Sequence, residues 1–357
     1  MKKNIFVMTT FIAALAGLFA VFFSFGWKTP DTRIVETVRV PAESKKITIY
    51  FIPKNLNNPY FEAMSTGLFE AISELGEEHF RYVYIGPQIA EPENQIEFVK
   101  RAIQDKADAV FIASNSNTAL NDVFDEARKG GTRIISINQD IPGSESHRDA
   151  AIIPADFKII PNAQLDLMGE QIGYDGQFAI VSATEDAPDQ SSWVNRMQRE
   201  VKENPKYARM KLVEVVYGDD QVDRSMAVTK DLLSKYPRLE GILSPTTVGV
   251  AAACRAVRES GMSGKVKVTG FGLPSEMAEF VLDGTCESFQ LWDPHYLGYL
   301  GVYMVWAEAR EGFSIVPGAT FRARKLGRYT IQPNGQIVSQ PIMRYDRANI
   351  MKYAAQF

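Results

Sequence analysis

The sequence predicts an α/β protein of two doubly wound parallel-sheet lobes. Two observations carry this reading. Short apolar runs alternate with amphipathic helical stretches along most of the chain, and such alternation implies parallel sheets with helices on both faces. The alternation also comes in two successive series, separated where the pattern lapses at Asp149–Phe157.

The first strand is Ile47–Ile52. It breaks into a polar loop at Pro53–Asn58, and the chain resumes at Pro59 as an amphipathic helix that continues past Phe61. Proline suits a first helical turn because its missing N–H would be unpaired there anyway. Further strands follow at Phe80–Ile85, Ala109–Ala113 and Arg133–Ile137. Between them the spacing predicts helices at Pro92–Gln104 and Asn117–Lys129, the second closed by Gly130 and Gly131. The second series has strands at Phe178–Ser182, Lys211–Val216, Gly241–Ser244 and Val266–Gly270. Its helices fall around Ser192–Glu203, Val222–Lys235, Val248–Ser260 and Ser275–Leu282. Asp149–Phe157 reads as a first crossover between the lobes and Glu287–His295 as a later one.

The N-terminus sets the compartment. Two lysines near the start precede Ile5–Trp27, which carries no charge. The run is longer than the usual signal-peptide core and approaches the ~20 residues that span a bilayer. Residues 1–27 are therefore either a cleaved signal peptide or a membrane anchor, which would give a possible membrane tether; both readings place the remainder outside the cytoplasm. Residues 28–45 are polar, with Pro30 and Pro41, and read as a linker.

Composition bounds the rest. Of 357 residues, 45% are hydrophobic and 23% charged, which is ordinary for a globular protein. The net charge of −4 offers no electrostatic case for nucleic acid. Cys254 and Cys286 are too few for a metal site and read as separate buried thiols, although an oxidising compartment would allow them to pair. His79, His147 and His295 are scattered and sit in no motif with a nucleophile, and no Gly-rich phosphate loop is present. Neither a catalytic set nor a metal or cofactor site is expected.

The candidate site is a constellation at strand ends, where open α/β sheets bind ligands. Lys54, Tyr60 and Phe61 follow the first strand, and Asn138 follows Arg133–Ile137. Asp189 and Gln190 come after Phe178–Ser182, Pro245 and Thr247 after Gly241–Ser244, and Trp292 and Asp293 after an apolar stretch ending at Leu291. A carboxylate, a cation and amides supply the matched donors and acceptors that buried hydroxyls need. The aromatic rings suit the C–H face of a sugar. Duller roles compete: Asp189 as a helix cap, Asn138 as a turn former, Trp193 as core.

The segment Ile47–Phe69, with its Asn-Asn-Pro-Tyr-Phe run, resembles the first βα unit of ribose-type periplasmic sugar-binding proteins. Ser244-Pro-Thr-Thr-Val-Gly-Val-Ala-Ala, Lys267-Val-Thr-Gly-Phe-Gly-Leu-Pro-Ser-Glu-Met-Ala, Leu291-Trp-Asp-Pro and Gln340-Pro-Ile-Met-Arg-Tyr-Asp-Arg-Ala-Asn-Ile resemble rhamnose-binding proteins of sugar ABC importers and the related autoinducer-2-binding proteins. The resemblance implies a type I periplasmic binding protein fold, with three crossovers and the ligand in the interlobe cleft. It implies an N-terminal lobe of 46–153 plus about 294–325 and a C-terminal lobe of 154–293 plus about 326–357. It also implies a sugar, or autoinducer-2, as small-molecule partner, and the permease and ATPase subunits of an ABC transporter as protein partners. Lys54, Asp189-Gln190 and Pro245 match the autoinducer-2 pattern; Asn138 and Thr247 depart from it, where Asp and Ala would be expected. A binding protein, a signalling receptor of the same fold and an enzyme are the function classes to separate, with the first ahead.

Overall fold

The computed structural model describes residues 45–356 except 142 and 144. The apolar run at 5–27 lies outside the described residues, as does nearly all of the 28–45 linker. In chain order the first series comprises β1 (Ile47–Ile52), α1 (Pro59–Leu75), β2 (Phe80–Tyr84), α2 (Pro92–Gln104), β3 (Ala109–Ile112), α3 (Asn121–Lys129), β4 (Arg133–Ile137) and β5 (Ala150–Ile153). The second comprises α4 (Ile160–Ile172), β6 (Gly176–Ser182), α5 (Pro188–Glu203), β7 (Met210–Tyr217), α6 (Val222–Lys235), β8 (Leu239–Ser244), α7 (Thr247–Glu259), β9 (Lys267–Gly270), α8 (Pro274–Leu282) and β10 (Ser288–Leu291). The chain ends with α9 (Pro294–Arg310), β11 (Thr320–Ala323), β12 (Gly327–Thr330), β13 (Gln336–Val338), β14 (Met343–Asp346) and α10 (Ile350–Ala354).

Among the described residues ten strands form two parallel sheets, as the alternation predicts, and β10–β14 and β11–β12 are antiparallel pairs. One parallel sheet has the order β13-β5-β4-β3-β1-β2, the other β7-β6-β8-β9. All six residues of β1 are buried, and its register puts Ile49 opposite Ala109 and Tyr50 opposite Val83. In each sheet the chain reverses its direction of strand addition beside the first strand: β2 and β3 flank β1, and β7 and β8 flank β6. A crevice opens beyond the carboxyl end at such a switch point. Lys54 follows β1 and Asp189 follows β6, so the topology places both at the carboxyl ends of their sheets.

The chain passes between sheets after β5, after β10 and after β13. The return expected near residue 326 is corrected by β13, which pairs in parallel with β5 through Ile337 and Ile152. The last crossover therefore follows Val338, and β14 then runs antiparallel to β10. A buried ion pair explains the difference. Arg148 donates to both carboxylate oxygens of Asp140 at 2.6 and 2.7 Å and to the Asn334 carbonyl at 3.0 Å. Gln336 donates to the same carboxylate at 2.5 Å. These contacts fasten the start of β13 to the β4–β5 loop; nothing local in the sequence announces them.

The periodicity does not announce α4, α9 or the short α10. In α9, 11 of 17 residues are buried, so it lacks the polar face that an amphipathic pattern needs. Its close contact with α1 relies on glycine: a Cβ at Gly67 would lie 2.0 Å from the His295 carbonyl oxygen, and one at Gly298 would lie 2.3 Å from that of Met64. In α4 the buried face includes Gln164 and Gln171, which donate to the Gln290 side chain and the Ser288 carbonyl of β10. Polar residues on a core face hide the helical period. Cys254 and Cys286 are buried free thiols, and burial pushes the Cys254 thiol above its ordinary range.

Candidate functional site

The site is assembled at the strand ends of both sheets. The β1–α1 loop carries Lys54, and buried amides hold it there. Gln95, fully buried, donates to the Pro53 and Ala113 carbonyls at 2.9 and 2.8 Å, and its oxygen accepts from the Asn115 N–H. Asn115 in turn donates to the Lys54 carbonyl at 2.9 Å. At the end of the loop Asn58 caps α1 by accepting from the Tyr60 N–H at 3.1 Å. This cap and Pro59 set the direction of the helix and turn Tyr60 and Phe61 inward.

From the other sheet, Asp189 lies in the first turn of α5, one residue past Pro188. It is not the cap; Ala187 occupies that position. Its carboxylate instead accepts from Lys54 Nζ at 2.6 Å and from Asn138 Nδ2 at 3.3 Å. Gln190 Oε1 accepts from the same ammonium at 3.0 Å. Lys54 and Asp189 are 3% and 1% exposed. A buried ion pair this deep survives only with its remaining hydrogen-bonding capacity satisfied, which Gln190 and Asn138 do.

A second chain of bonds crosses the cleft. Trp292 Nε1 donates to the Tyr60 hydroxyl at 2.6 Å, and that hydroxyl donates to Asn138 Oδ1. Burial raises the Tyr60 phenol well above its ordinary value, with the Trp292 bond opposing, so Tyr60 keeps its proton as this relay requires. Asn138 stands at φ +75°, a left-handed conformation that asparagine tolerates better than most residues. It is thus both turn former and bridge, accepting at Oδ1 and donating at Nδ2.

Lys54, Tyr60, Phe61, Asn138, Asp189, Gln190, Pro245, Thr247 and Trp292 line one cavity. Asp293 does not. It caps α9, accepting from the His295 N–H at 3.0 Å, and its carboxylate lies 2.8 Å from the His295 ring. The helix N-terminus takes the oxygen that the sequence reading gave to a ligand. Asn58, Trp193 and Thr246, which the same strand-end reading includes, line it too, and the structure adds Asp220, Phe271 and Leu291. Trp193, Phe271 and Trp292 form an aromatic wall, with ring centroids 5.5 Å apart between Trp193 and Phe271 and 4.7 Å between Phe271 and Trp292. Phe271 comes from the end of β9, a strand end that the sequence reading left without a candidate.

The cavity leaves only about 40 Å³ of free space, because the cross-cleft bonds fill much of it. Among the described residues no cluster of His, Cys, Asp or Glu is placed to hold a metal ion, and no helix is long and apolar enough to cross a membrane.

Comparison with known proteins agrees with this architecture. Residues 49–312 match the family model described as periplasmic binding protein domain. The chain belongs to that family. This periplasmic binding protein is 25% identical over 259 residues to the D-ribose/D-allose-binding protein of Pseudomonas aeruginosa, covering 69% of this chain and 77% of the relative. The crystal structure of a sugar ABC transporter protein from Actinomyces odontolyticus is 37% identical, with a TM-score of 0.68, covering 88% of this chain and 98% of that one. An ABC transporter solute-binding protein from Clostridium phytofermentas, solved with bound L-rhamnose, is 29% identical with a TM-score of 0.81, covering 88% and 99%. Periplasmic binding proteins are components of transport rather than enzymes, and the family places this chain outside the cytoplasm.

Proposed function

We propose that this protein captures a neutral sugar, L-rhamnose or a similar deoxyhexose or pentose, and delivers it to an ABC importer through the permease and ATPase subunits. The observation that carries the reading is the pairing of a polar cluster with an aromatic wall in one cavity between two lobes. Lys54, Asn138, Asp189 and Gln190 offer donors and acceptors for vicinal hydroxyls. Trp193, Phe271, Leu291 and Trp292 offer apolar surface for ring C–H groups and a deoxy-sugar methyl. The lobes close over the sugar because the closed form binds it better, and closure excludes water from the polar contacts. The sugar leaves unchanged.

A thermal-shift screen against L-rhamnose, D-ribose, D-arabinose and autoinducer-2 tests this reading. A sugar at a hundred times its dissociation constant should stabilise the protein by about 2.7 kcal/mol. No shift with any sugar would overturn the assignment. Incubation with the bound sugar should return it intact; conversion in proportion to protein would revive the enzyme reading.

A second reading has one specific support. Lys54 contacts both members of the Asp189-Gln190 pair, the trio that resembles the autoinducer-2 receptors. Asn138 separates the two readings. Asn138→Asp removes the donor to Asp189 and sets two carboxyl groups 3.3 Å apart. Such a pair raises one pKa strongly. The variant should bind L-rhamnose roughly tenfold more weakly at pH 7.5, and recover at pH 5 as one carboxyl regains its proton. Wild type should lack this recovery. Calorimetry at the two pH values checks it. Tighter autoinducer-2 binding by Asn138→Asp with Thr247→Ala, and none of L-rhamnose by wild type, would favour the signalling ligand.

A further inference from the structure

Two thiols lie outside the cavity and take no part in the proposed binding. Cys254 is in the middle of α7, and Cys286 follows 32 positions later, between α8 and β10. Both are fully buried, and neither lines the cavity. The Cys286 thiol is within hydrogen-bonding reach of the Cys254 thiol. Disulfide geometry demands side chains this close and turned toward each other. Spacing in the sequence does not bring them together; packing does.

The turn that carries Cys286 is held against α7 by contacts in which sulfur has no part. Arg258 lies one turn after Cys254 on the same face of α7. It donates to Glu279 at 2.8 Å and to Asp283 at 3.1 Å, and its guanidinium sits 4.5 Å from the centroid of the Phe280 ring. The Ser263 and Thr285 hydroxyls share a hydrogen bond of 2.9 Å. Within the turn, the Asp283 carboxylate accepts from the Thr285 N–H at 2.8 Å, and the Cys286 N–H donates to the Phe280 carbonyl at 2.8 Å. A bond between the two sulfurs would therefore join groups that packing has already brought together. Apolar filling accounts for one buried thiol. Two in mutual contact, in a chain held outside the cytoplasm, meet the condition under which disulfides form and persist.

We propose that Cys254 and Cys286 form a disulfide in the exported protein, made by exchange with a disulfide-bonded thiol oxidant while the chain folds, and that this bond fastens the start of β10 to α7. One cysteine thiolate attacks a sulfur of the oxidant and releases the first oxidant thiolate. The second cysteine thiolate attacks the mixed disulfide, which forms the Sγ–Sγ bond and releases the second. Two electrons pass to the oxidant, and the two cysteine protons end on its thiols. The order of events follows from burial. The thiolate is the attacking species, and burial, with Cys286 adding to it, pushes the Cys254 thiol above its ordinary range. A buried thiol of this kind is inert, so the exchange precedes closure of the core.

The test is a thiol map of the full chain exported to a bacterial periplasm. The protein is denatured without reductant, its free thiols are trapped with N-ethylmaleimide, and its peptides are read by mass spectrometry. Neither cysteine should be labelled, and their two peptides should run joined, two hydrogens lighter than the reduced pair. Labelling of both cysteines in the exported chain would overturn the proposal. Refolding the reduced chain with oxidised glutathione should make the same link, and the folded reduced chain should make it much more slowly. Equal rates would overturn the order of events. The oxidised protein should melt about 5–10 °C above the reduced one, because the bond restricts the unfolded chain over a long loop. Reductant should leave the melts of Cys254→Ala and Cys286→Ala unmoved. Equal melts of the oxidised and reduced wild type would overturn the fastening role. L-rhamnose affinity should be the same in both redox states, since neither cysteine reaches the cavity.

Discussion

Lys54→Met should weaken sugar binding a hundredfold or more while leaving the melting temperature of the unliganded protein almost unchanged. Lys54 and Asp189 are nearly inaccessible and 2.6 Å apart. Removing one partner of a buried pair strands the other, at a cost of about 3–5 kcal/mol. Here the partners belong to different sheets. When the lobes part, water solvates Asp189, so the cost falls on closure rather than on folding. At about 1.4 kcal/mol per tenfold, even the lower figure exceeds a hundredfold in affinity. Asp189→Ala alone should cost less, roughly 1.5–3 kcal/mol, because the stranded ammonium still donates to Gln190. The double variant should lose less than the sum, because nothing is left to strand. Calorimetry with L-rhamnose and a scanning melt of each variant decide it. Unchanged affinity with a depressed melt would make the pair structural and misplace the site.

Gly67→Ala should destabilise the fold by about 3 kcal/mol, at the upper end of the range for overpacking. Helix propensity alone predicts the opposite sign, because alanine in a helix interior is favoured over glycine by about 0.8–1.0 kcal/mol. Packing decides. The new Cβ would lie 2.0 Å from the His295 backbone oxygen, and a backbone atom cannot rotate away as a side chain can. The helices must separate, and α1 carries Tyr60 and Phe61 into the cavity. Gly301→Ala is the control. Its Cβ would come no closer than 3.0 Å to the Phe111 ring, so the loss should be smaller. Urea melts of the three proteins measure the difference. A Gly67→Ala protein as stable as wild type would show that the α1–α9 contact is looser than described.

Much of the candidate site is legible in the sequence because its parts share one local grammar. Lys54, Asp189 and Pro245 each follow an apolar run and precede a helical one, and Asn138 also follows an apolar run. That position is visible in a single strand–helix unit, and topology brings such positions together. Asp293 obeyed the same grammar and was misplaced, since a carboxylate just before a helix serves equally as a cap. Asp220 follows β7 in the same way, and its place in the cavity wall depends on a left-handed backbone at Asp219 and Asp220 that no spacing pattern records.

The chain by itself determined the fold class, the two sheets and most residues at their carboxyl ends, because burial on both strand faces and the amphipathic helix period are local properties written in the order of residues. Tertiary structure decided the rest. The placement of β13 in the first sheet depends on Arg148 meeting Asp140 and Gln336. The contact of α1 with α9 depends on two glycines 231 positions apart, Gly67 and Gly298. The pairing of Lys54 with Asp189 depends on strand ends from both sheets meeting across the cleft. These contacts join residues far apart in sequence, and their energies come from desolvation and close approach, which exist only once the chain has folded.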